Sequence, residues 1–436
     1  FVCSFVCLFV HLFVCLPKMQ AWQSNEGSIA VKLHKRETSA TGYWGHPGIC
    51  TVTFCEGDAH RAFAALKPRL RKVLDANPWI AGQLDAKKML VHPKTGSDEL
   101  VDEILSLQKC AKVVRSTVYP ELVKATGANA ALTVQKGSKL QKSAGRVTKL
   151  VVVEPEQPGG EFALVFSMSH VAADGHDYYR IYNMIAGTGA VQSMSASRIP
   201  EYEERDSEWT GKRDFAWLSG GGLIKGMLAG ALFGPKASWC CYFVDQEKVV
   251  EQKKTAAASG VPGVSYVSTN DVLTSHFCNA AAARVCMMVI NMRNKIPLEI
   301  NDSSAGCYEG CLLLDAANYA DPAHIRMCLN AGAPFTRQTP SPALPGLCGS
   351  CPMAFITSWA SFDFELSLEG AVSRQVLHLP CMAMPDMMDV AVVFKPQPGK
   401  LGVLYLAKRA KPEKLRGQFG GTILGASIDD GIFPPR

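Results

Sequence analysis

The stretch Phe162-Ala-Leu-Val-Phe-Ser-Met-Ser-His170-Val-Ala-Ala-Asp174-Gly175-His-Asp-Tyr-Tyr179 joins an apolar run to a histidine, an aspartate and a glycine. The aromatic, aliphatic and β-branched residues at 163–168 predict a buried strand, which places His170 at its carboxyl end. A helix is expected from Asp174 onward, because apolar residues recur there at helical spacing. The sequence therefore predicts a strand, a turn carrying an H-x-x-x-D-G motif, and a helix.

The motif separates two chemical roles within one turn. A histidine side chain can take a proton from an alcohol or an amine near neutral pH, so His170 is the candidate general base. Asp174 is interpreted as a buried structural anion, which requires a cation from elsewhere in the chain. Gly175 is expected to adopt backbone angles that are closed to other residues. The alternative is that His170 is an ordinary structural histidine.

Composition and charge limit the class of protein. The chain has 436 residues, of which 47% are hydrophobic and 19% are charged, so it can form two globular domains. Its net charge of +6 suits an anionic ligand, and the sequence has no dense basic run of the kind that binds nucleic acid. We expect a monomer.

The cysteines predict reduced thiols. The chain has 16 cysteines, scattered mostly among apolar residues, and their spacing does not resemble a disulfide framework. Cys348-Gly-Ser-Cys351 has no second cysteine pair or histidine at zinc spacing, so no metal site is expected. A cytoplasmic location follows from this interpretation.

The first 16 residues repeat a unit close to Phe-Val-Cys-Leu with a period of four. A repeated TTTG unit read in frame encodes those residues. We therefore expect residues 1–18 to be a non-native extension, with Met19 as the true start. The alternative is a targeting signal, although the stretch lacks a positively charged beginning and a small-residue cleavage site.

The motif and its surroundings resemble the chloramphenicol acetyltransferase-like superfamily of coenzyme A-dependent acyltransferases, and most closely its BAHD branch. The helix and strand of Leu66-Lys-Pro-Arg-Leu to Ala81-Gly-Gln-Leu84 are similar to the BAHD N-terminal pattern. Ser169 stands where condensation domains and wax ester synthases usually carry a second histidine, which favours the BAHD branch. The chain departs from that branch at Glu365-Leu-Ser-Leu-Glu-Gly370, where BAHD enzymes carry Asp-Phe-Gly-Trp-Gly.

The resemblance implies an α/β fold of two similar sandwich domains with mixed sheets and a channel between them. The expected parts are an N-terminal domain at 19–195 that carries the motif, a crossover linker at 196–236 and a C-terminal domain at 237–436. Acyl-coenzyme A would be a co-substrate and no cofactor would be bound permanently. The second substrate would be a small-molecule alcohol or amine.

The resemblance also implies partners for the motif. Arg293, at the end of a predicted strand, is the candidate cation for Asp174, because a guanidinium can hold a carboxylate through two hydrogen bonds. Thr357 and Trp359 are the candidate donors to the oxyanion of the tetrahedral intermediate. Strand alternation would put both on one face. The alternatives are that Arg293 caps a strand at the surface and that Trp359 is core packing.

Asn270 and Asp271 precede a predicted helix in the second half of the chain. This Asn-Asp pair is similar to one found in wax ester synthases, and both residues are candidates for structural support of the site. A helix-capping role is favoured over a catalytic one.

The linker contains two contrasting stretches. Residues 197–214 are polar and are expected to be exposed. Residues 217–234 are apolar, with glycines at 222, 226, 230 and 234 that would let one helix face approach another surface closely. Internal packing or a loop is favoured over weak association with a membrane surface.

The sequence is compatible with three functions. The favoured one is transfer of an acyl group from acyl-coenzyme A to a hydroxyl or amine. A condensation or wax-ester-synthase type of enzyme, using carrier-bound or long-chain substrates, is the first alternative. A non-catalytic ligand-binding member of the fold is the second.

Overall fold

The computed structural model describes residues 27–39, 43–156, 160–338, 344, 351–382, 384, 386–410, 415 and 424–427. The expected extension at 1–18 and Cys348 lie outside the described residues.

The described chain folds into α-helices and β-strands that alternate along most of its length. The strands are β1 (Ser28–Lys32), β2 (Ile49–Gly57), β3 (Gln83–Leu84), β4 (Met89–Pro93), β5 (Leu105–Lys109), β6 (Thr148–Glu154), β7 (Glu161–Met168), β8 (Ser238–Val244), β9 (Val285–Asn291), β10 (Glu309–Leu314), β11 (Met353–Ser358), β12 (Val372–Pro380), β13 (Asp389–Gln397), β14 (Lys400–Ala407) and β15 (Leu424–Ser427). The helices are α1 (Lys35–Thr38), α2 (Ala59–Ala76), α3 (Asp98–Ile104), α4 (Tyr119–Ala128), α5 (Gly137–Ser143), α6 (Gly175–Ala186), α7 (Pro200–Glu204), α8 (Asp206–Thr210), α9 (Lys212–Ser219), α10 (Gly221–Phe233), α11 (Gln246–Ala257), α12 (Thr269–Ala281), α13 (Ala316–Tyr319) and α14 (Pro322–Asn330).

Strand β7, which leads to His170, lies in the centre of the first sheet. The strand order is β12-β2-β7-β6-β5, and both neighbours of β7 run antiparallel to it. Every residue of β7 after Glu161 is buried, as expected for a strand covered on both faces. The predicted buried strand is confirmed, and its end is held on both sides.

Helix α2 covers this sheet through one apolar face. Asp58 caps its N-terminus by accepting a hydrogen bond from Arg61 N, and the helix ends at Ala76, before Pro78. The buried face consists of Ala59, Ala62, Leu66, Leu70, Val73 and Leu74.

The second half of the chain forms a mixed sheet with the order β10-β9-β11-β13-β14-β8-β15. Strand β11 is parallel to β9 and β13, and the other pairs are antiparallel. A small third sheet has the order β1-β4-β3. The predicted α/β class with mixed sheets is confirmed.

A boundary at residue 237 does not separate the two large sheets. Strand β12 belongs to the second half of the sequence but pairs antiparallel with β2, from Pro380 opposite Thr51 to Val372 opposite Gly57. The first sheet therefore contains a strand from each half. Pairing with β12 removes the open edge that β2 would otherwise present.

The sequence predicted that residues 197–214 are exposed, and the structure shows this for only part of the stretch. Tyr202 and Trp209 are buried, and Asp214 forms a buried ion pair with Arg337. Polar composition alone does not predict this burial, because single aromatic residues supply the packing surface and several of the charged residues form ion pairs.

Residues 221–233 form a helix and not a loop. This helix packs on the protein through one side only, so the predicted internal packing holds for that side and not for the other. Gly226 lies against Met353, and a Cβ on Gly230 would come within 1.8 Å of Met387 O. In the described residues, no single helix is long and apolar enough to cross a membrane. Helices α9 and α10 meet that test only as a pair, with a bend of 49° between them.

Two cysteines form a disulfide that the sequence analysis did not expect. Cys278 in α12 is bonded to Cys286 in β9, with their Cα atoms 6.2 Å apart. The two cysteines lie close together because Ala282 takes a left-handed conformation, which ends α12 and turns the chain back into β9. The expectation that these two thiols are reduced is wrong for this structure.

Candidate active site

His170 lies two residues beyond β7 and is partly exposed. Its side chain is 15% exposed, and its Nε2 atom is 3.9 Å from Glu309 Oε1. The Tyr43 ring stacks on the imidazole, with centroids 3.9 Å apart and planes 10° apart. His46 contacts it edge-on, with centroids 6.0 Å apart. The imidazole thus has one nitrogen directed toward a carboxylate, on a side chain that is partly exposed.

The other side of the imidazole faces Cys307. The Cys307 thiol donates a hydrogen bond to His170 O at 2.8 Å, and its sulfur lies 3.5 Å from His170 Nδ1. Burial raises the pKa of this thiol well above its ordinary value, so it stays protonated. A sulfur that donates to the carbonyl can accept from Nδ1–H, which leaves the lone pair on Nε2.

Asp174 does not contact His170 but fixes the turn that carries it. Its Oδ1 atom accepts from Asp177 N at 3.2 Å, which caps helix α6. Its Oδ2 atom accepts from Arg293 Nη1 at 2.6 Å and from Tyr308 N at 3.1 Å. The pair between Asp174 and Arg293 that the sequence analysis expected is present in the structure.

Arg293 holds a second carboxylate as well. Its Nη2 atom donates to Asp177 Oδ1 at 2.9 Å, and the guanidinium is fully buried. Burial alone would raise the pKa of Asp174, but Arg293 outweighs it and lowers that pKa. Burial, together with the like charge of Asp174, raises the pKa of Asp177. The remaining Arg293 partners are Ser304 O, Gly306 O and Asn291 Oδ1.

A second buried ion pair, between Arg198 and Glu37, ties the same turn to the second half of the chain. Arg198 Nη2 donates to Ala172 O at 3.0 Å within the motif, and Nη1 donates to Ala305 O at 2.8 Å. Glu37 accepts from Arg198 Nε and from Cys307 N, each at 3.0 Å. The turn around His170 is therefore clamped from two sides.

Gly175 serves a different purpose from the one predicted. Its φ is not positive, so it does not use the backbone freedom of glycine. A Cβ at this position would lie 3.2 Å from Trp359 Nε1, which is tighter than ordinary van der Waals contact. The glycine is needed because the first turn of α6 packs directly against the indole.

Trp359 thus lies next to the motif. The prediction that Thr357 and Trp359 alternate along one strand is wrong, because Trp359 lies beyond the end of that strand. Strand β11 ends at Ser358, and Trp359 begins a turn in which Phe362 N donates to Trp359 O at 3.0 Å. Thr357 remains within the strand, opposite Val392, and is partly exposed. The indole is buried, with an edge-to-face contact to Tyr179.

Asn270 and Asp271 make their contacts within the second half of the chain. Ser268, not either of these residues, is the N-cap of α12, and Asp271 completes a reciprocal capping box with it. Asp271 also pairs with Arg326 at 2.7 Å, which joins α12 to α14. Among the residues described, Asn270 Oδ1 is buried without a hydrogen-bond partner.

The side chains of Tyr43, Glu309 and Cys307, which surround the His170 imidazole, were not predicted from the sequence. Tyr43 donates a hydrogen bond to Glu309 Oε1, and these residues are 266 positions apart. Burial and then the Glu309 carboxylate raise the pKa of Tyr43 well above its ordinary value, so its hydroxyl remains a neutral donor. The available sequence signal was the pair of glycines that flank Cys307, Tyr308 and Glu309 in Gly306-Cys-Tyr-Glu-Gly310. In the structure Gly306 has φ +142°, and a Cβ there would contact Arg198.

The architecture is that of the chloramphenicol acetyltransferase-like fold. It resembles F. sporotrichioides TRI101 in complex with coenzyme A and T-2, with a TM-score of 0.61, 12% identity, and coverage of 92% of this chain and 100% of that one. The complex of F. graminearum TRI101 with coenzyme A and deoxynivalenol gives a TM-score of 0.58 at 12% identity, covering 88% and 96%.

A condensation domain is also similar. The first condensation domain of the calcium-dependent antibiotic synthetase, in complex with a substrate analogue, gives a TM-score of 0.55 at 14% identity, covering 89% of this chain and 92% of that one. No protein-family model matches the sequence, and no curated protein is significantly similar to it. At these identities the likeness shows the fold.

Proposed function

We propose that this chain is an acyltransferase that moves an acyl group from a coenzyme A thioester to the hydroxyl or amine of a small molecule. The observation that carries the proposal is the placement of His170, partly exposed beside a carboxylate, on a turn held by two buried ion pairs. Catalytic groups need such fixed geometry, because small displacements of a reacting group are costly. The coenzyme A complexes of both TRI101 proteins support the donor class.

In this mechanism Nε2 of His170 takes the proton from the acceptor's O–H or N–H group as that atom attacks the thioester carbonyl. The new C–O or C–N bond forms, the C–S bond of the tetrahedral intermediate breaks, and the proton passes to the departing coenzyme A thiolate. The Glu309 carboxylate stabilises the transient imidazolium across 3.9 Å. General base catalysis of this kind contributes roughly 10²- to 10⁴-fold. No covalent acyl-enzyme is required.

Thr357 and Trp359 are the proposed donors to the oxyanion. Thr357 is partly exposed near the end of β11, and Trp359 Nε1 faces the first turn of α6 at Gly175. Preorganised donors stabilise charge that appears only in the transition state, and each is worth on the order of 3 kcal/mol in comparable sites. We assign Asp174, Gly175 and Arg293 to positioning, because their contacts hold the turn.

The likeness to a condensation domain supports a second candidate, in which the acyl donor is a carrier-bound thioester. The His170 chemistry would be the same and only the donor would differ. Ser169 and the BAHD-like features of the sequence favour free coenzyme A thioesters. The cytoplasmic location and the monomeric state stay predictions from the sequence.

The test is thiol release from a panel of acyl-coenzyme A donors, from acetyl to long-chain, with pooled alcohols and pooled amines as acceptors. Release that depends on both donor and acceptor is expected. Activity only with carrier-bound acyl groups would favour the second candidate. Donor binding by calorimetry without any thiol release would contradict the enzyme assignment and favour a non-catalytic binding protein.

A further inference from the structure

Helix α10 presents an apolar face to solvent. Ile224, Leu228, Leu232 and Phe233 are 41%, 52%, 70% and 85% exposed. The first three recur at intervals of four residues, and Phe233 adjoins the last, so they lie along one side of the helix. We call these four residues the apolar helix face. Contiguous exposed apolar surface of this kind usually marks a docking site.

The opposite side of α10 is fixed to the protein by its glycines. Gly226 sits against Met353, where a Cβ would come within 2.8 Å of the sulfur, and Gly230 sits against the main chain at Met387. A larger residue at Gly230 would have to displace backbone, and one at Gly226 would have to displace the Met353 side chain, so this side of the helix is fitted to the protein surface. The apolar helix face is therefore exposed because the glycine side of α10 is the side that packs on the protein.

The exposed charged residues in the sequence that flanks this face are all cations, and we call them its cationic rim. Lys212, Arg213, Lys225 and Lys236 are exposed, and the single acidic residue between positions 211 and 237, Asp214, is buried against Arg337. A cavity of about 410 Å³ next to α10 is lined by Lys225, Lys408, Arg409 and one carboxylate, Asp389, whose Oδ1 atom accepts hydrogen bonds from the backbone of residues 408–410. Lys408 is buried and paired with Asp386, so Arg409 is the exposed cation that this cavity adds to Lys225.

We propose that the apolar helix face docks on an anionic phospholipid membrane, with α10 lying in the plane of the interface. The exposed lysines would meet lipid phosphates while the leucines and Phe233 enter the acyl boundary. Helix α10 has 13 residues and is too short to span a bilayer by itself. A second copy of the chain is a poorer occupant, because a symmetric contact would bring two cationic rims together. The proposal is independent of the catalytic chemistry.

Cosedimentation of the full chain with vesicles tests the proposal. Binding is expected with vesicles of 70% phosphatidylcholine and 30% phosphatidylserine, and it should weaken in pure phosphatidylcholine and at high salt. The double substitution Leu232→Glu and Phe233→Glu should weaken binding at least about tenfold. Lys225→Gln and Lys236→Gln should each weaken it about fivefold.

Val250→Glu is the matched control, since Val250 is 47% exposed on helix α11, and it should bind as the parent does. Circular dichroism checks that each variant is folded. The proposal is overturned if the parent does not sediment with anionic vesicles, or if Val250→Glu lowers binding as much as the double substitution. It is also overturned if the parent is a dimer in solution that the double substitution dissociates, with no vesicle binding.

Discussion

At the scale of single residues, the two charged members of the motif have separate tasks. Every bond that fixes the Asp174 carboxylate comes from a backbone N–H or from Arg293, and none comes from His170. Asp174 therefore cannot orient the imidazole directly, as the aspartate of a catalytic triad would. It sets the turn, and Cys307 and Tyr43 set the ring.

Replacing Asp174 with Asn should lower both stability and turnover. The buried guanidinium of Arg293 would lose one charged partner, while Asp177 remains, so we expect a loss of about 3 kcal/mol of unfolding free energy. Urea unfolding and thiol release measure the two effects. Asp363→Asn is the control, because Asp363 pairs with Lys395 at the surface and should cost less than about 1 kcal/mol. Lost turnover with unchanged stability would instead assign Asp174 to the chemistry.

At the scale of elements, the site depends on the close approach of helix α6 to the end of β11. Gly175→Ala would push a methyl group toward Trp359 Nε1, which leaves only 3.2 Å for it. We expect turnover to fall about tenfold, equivalent to about 1.4 kcal/mol in the barrier, with the fold retained. Steady-state kinetics and a melting curve provide the measurement.

Gly127→Ala is the matched control for that change. Gly127 lies in helix α4, and a Cβ there would meet nothing within 4 Å. This substitution should leave turnover unchanged and stabilise the helix by up to about 1 kcal/mol. Equal losses of activity in the two variants would contradict the role assigned to the contact between Gly175 and Trp359.

Strand β12 carries a buried histidine that makes the first sheet sensitive to acid. His378 bonds to Thr53 at 2.8 Å and to Tyr179 at 3.0 Å, and burial lowers its pKa from 6.5 to about 3. Below pH 6.5 His378 is therefore protonated in the unfolded chain but stays neutral in the folded chain. The free energy of unfolding consequently falls as the pH falls from 6.5 toward 3. Between pH 6.5 and 5 this group alone removes roughly 2 kcal/mol.

His378→Gln should remove that part of the acid sensitivity. The drop in unfolding free energy between pH 7 and pH 5, measured by urea unfolding, should be smaller in this variant than in the parent. His60→Gln, at a side chain that is 69% exposed, is the control. An unchanged drop in His378→Gln would show that His378 is not the group responsible.

Local features of the fold could be predicted from the sequence, and distant contacts could not. The unit around His170 was predictable because strand, turn and helix are encoded by neighbouring residues. Arg293 was inferred from the need of Asp174 for a cation together with the family resemblance. The pair of Arg198 with Glu37, 161 residues apart, has no local signature, and the pairing of β12 with β2 depends on the tertiary fold.

At the scale of the whole molecule, the two halves of the chain are interlocked. The first sheet contains β12 from the second half of the chain. The ion pair between Asp174 and Arg293 joins the two halves directly, and Arg198 joins them through its hydrogen bond to Ala305 O. The site is therefore a property of the complete chain. Neither half contains all of its parts.

A chain divided after residue 236 tests this interlocking. Residues 27–236 expressed alone should aggregate or stay unfolded, because β2 would present an open edge and Asp174 would lack Arg293. Coexpression with residues 237–436 should restore a soluble complex in a pull-down. A soluble, cooperatively unfolding fragment 27–236 would contradict the predicted dependence.

The most direct test of the central claim is the rate of thiol release by His170→Ala, with the donor and acceptor that the panel identifies. We predict a fall of roughly 10²- to 10⁴-fold with an unchanged melting temperature, while the control His60→Ala keeps the parent rate. A His170→Ala protein that retains near-full activity would contradict the assignment of His170 as the base, and with it the proposed mechanism.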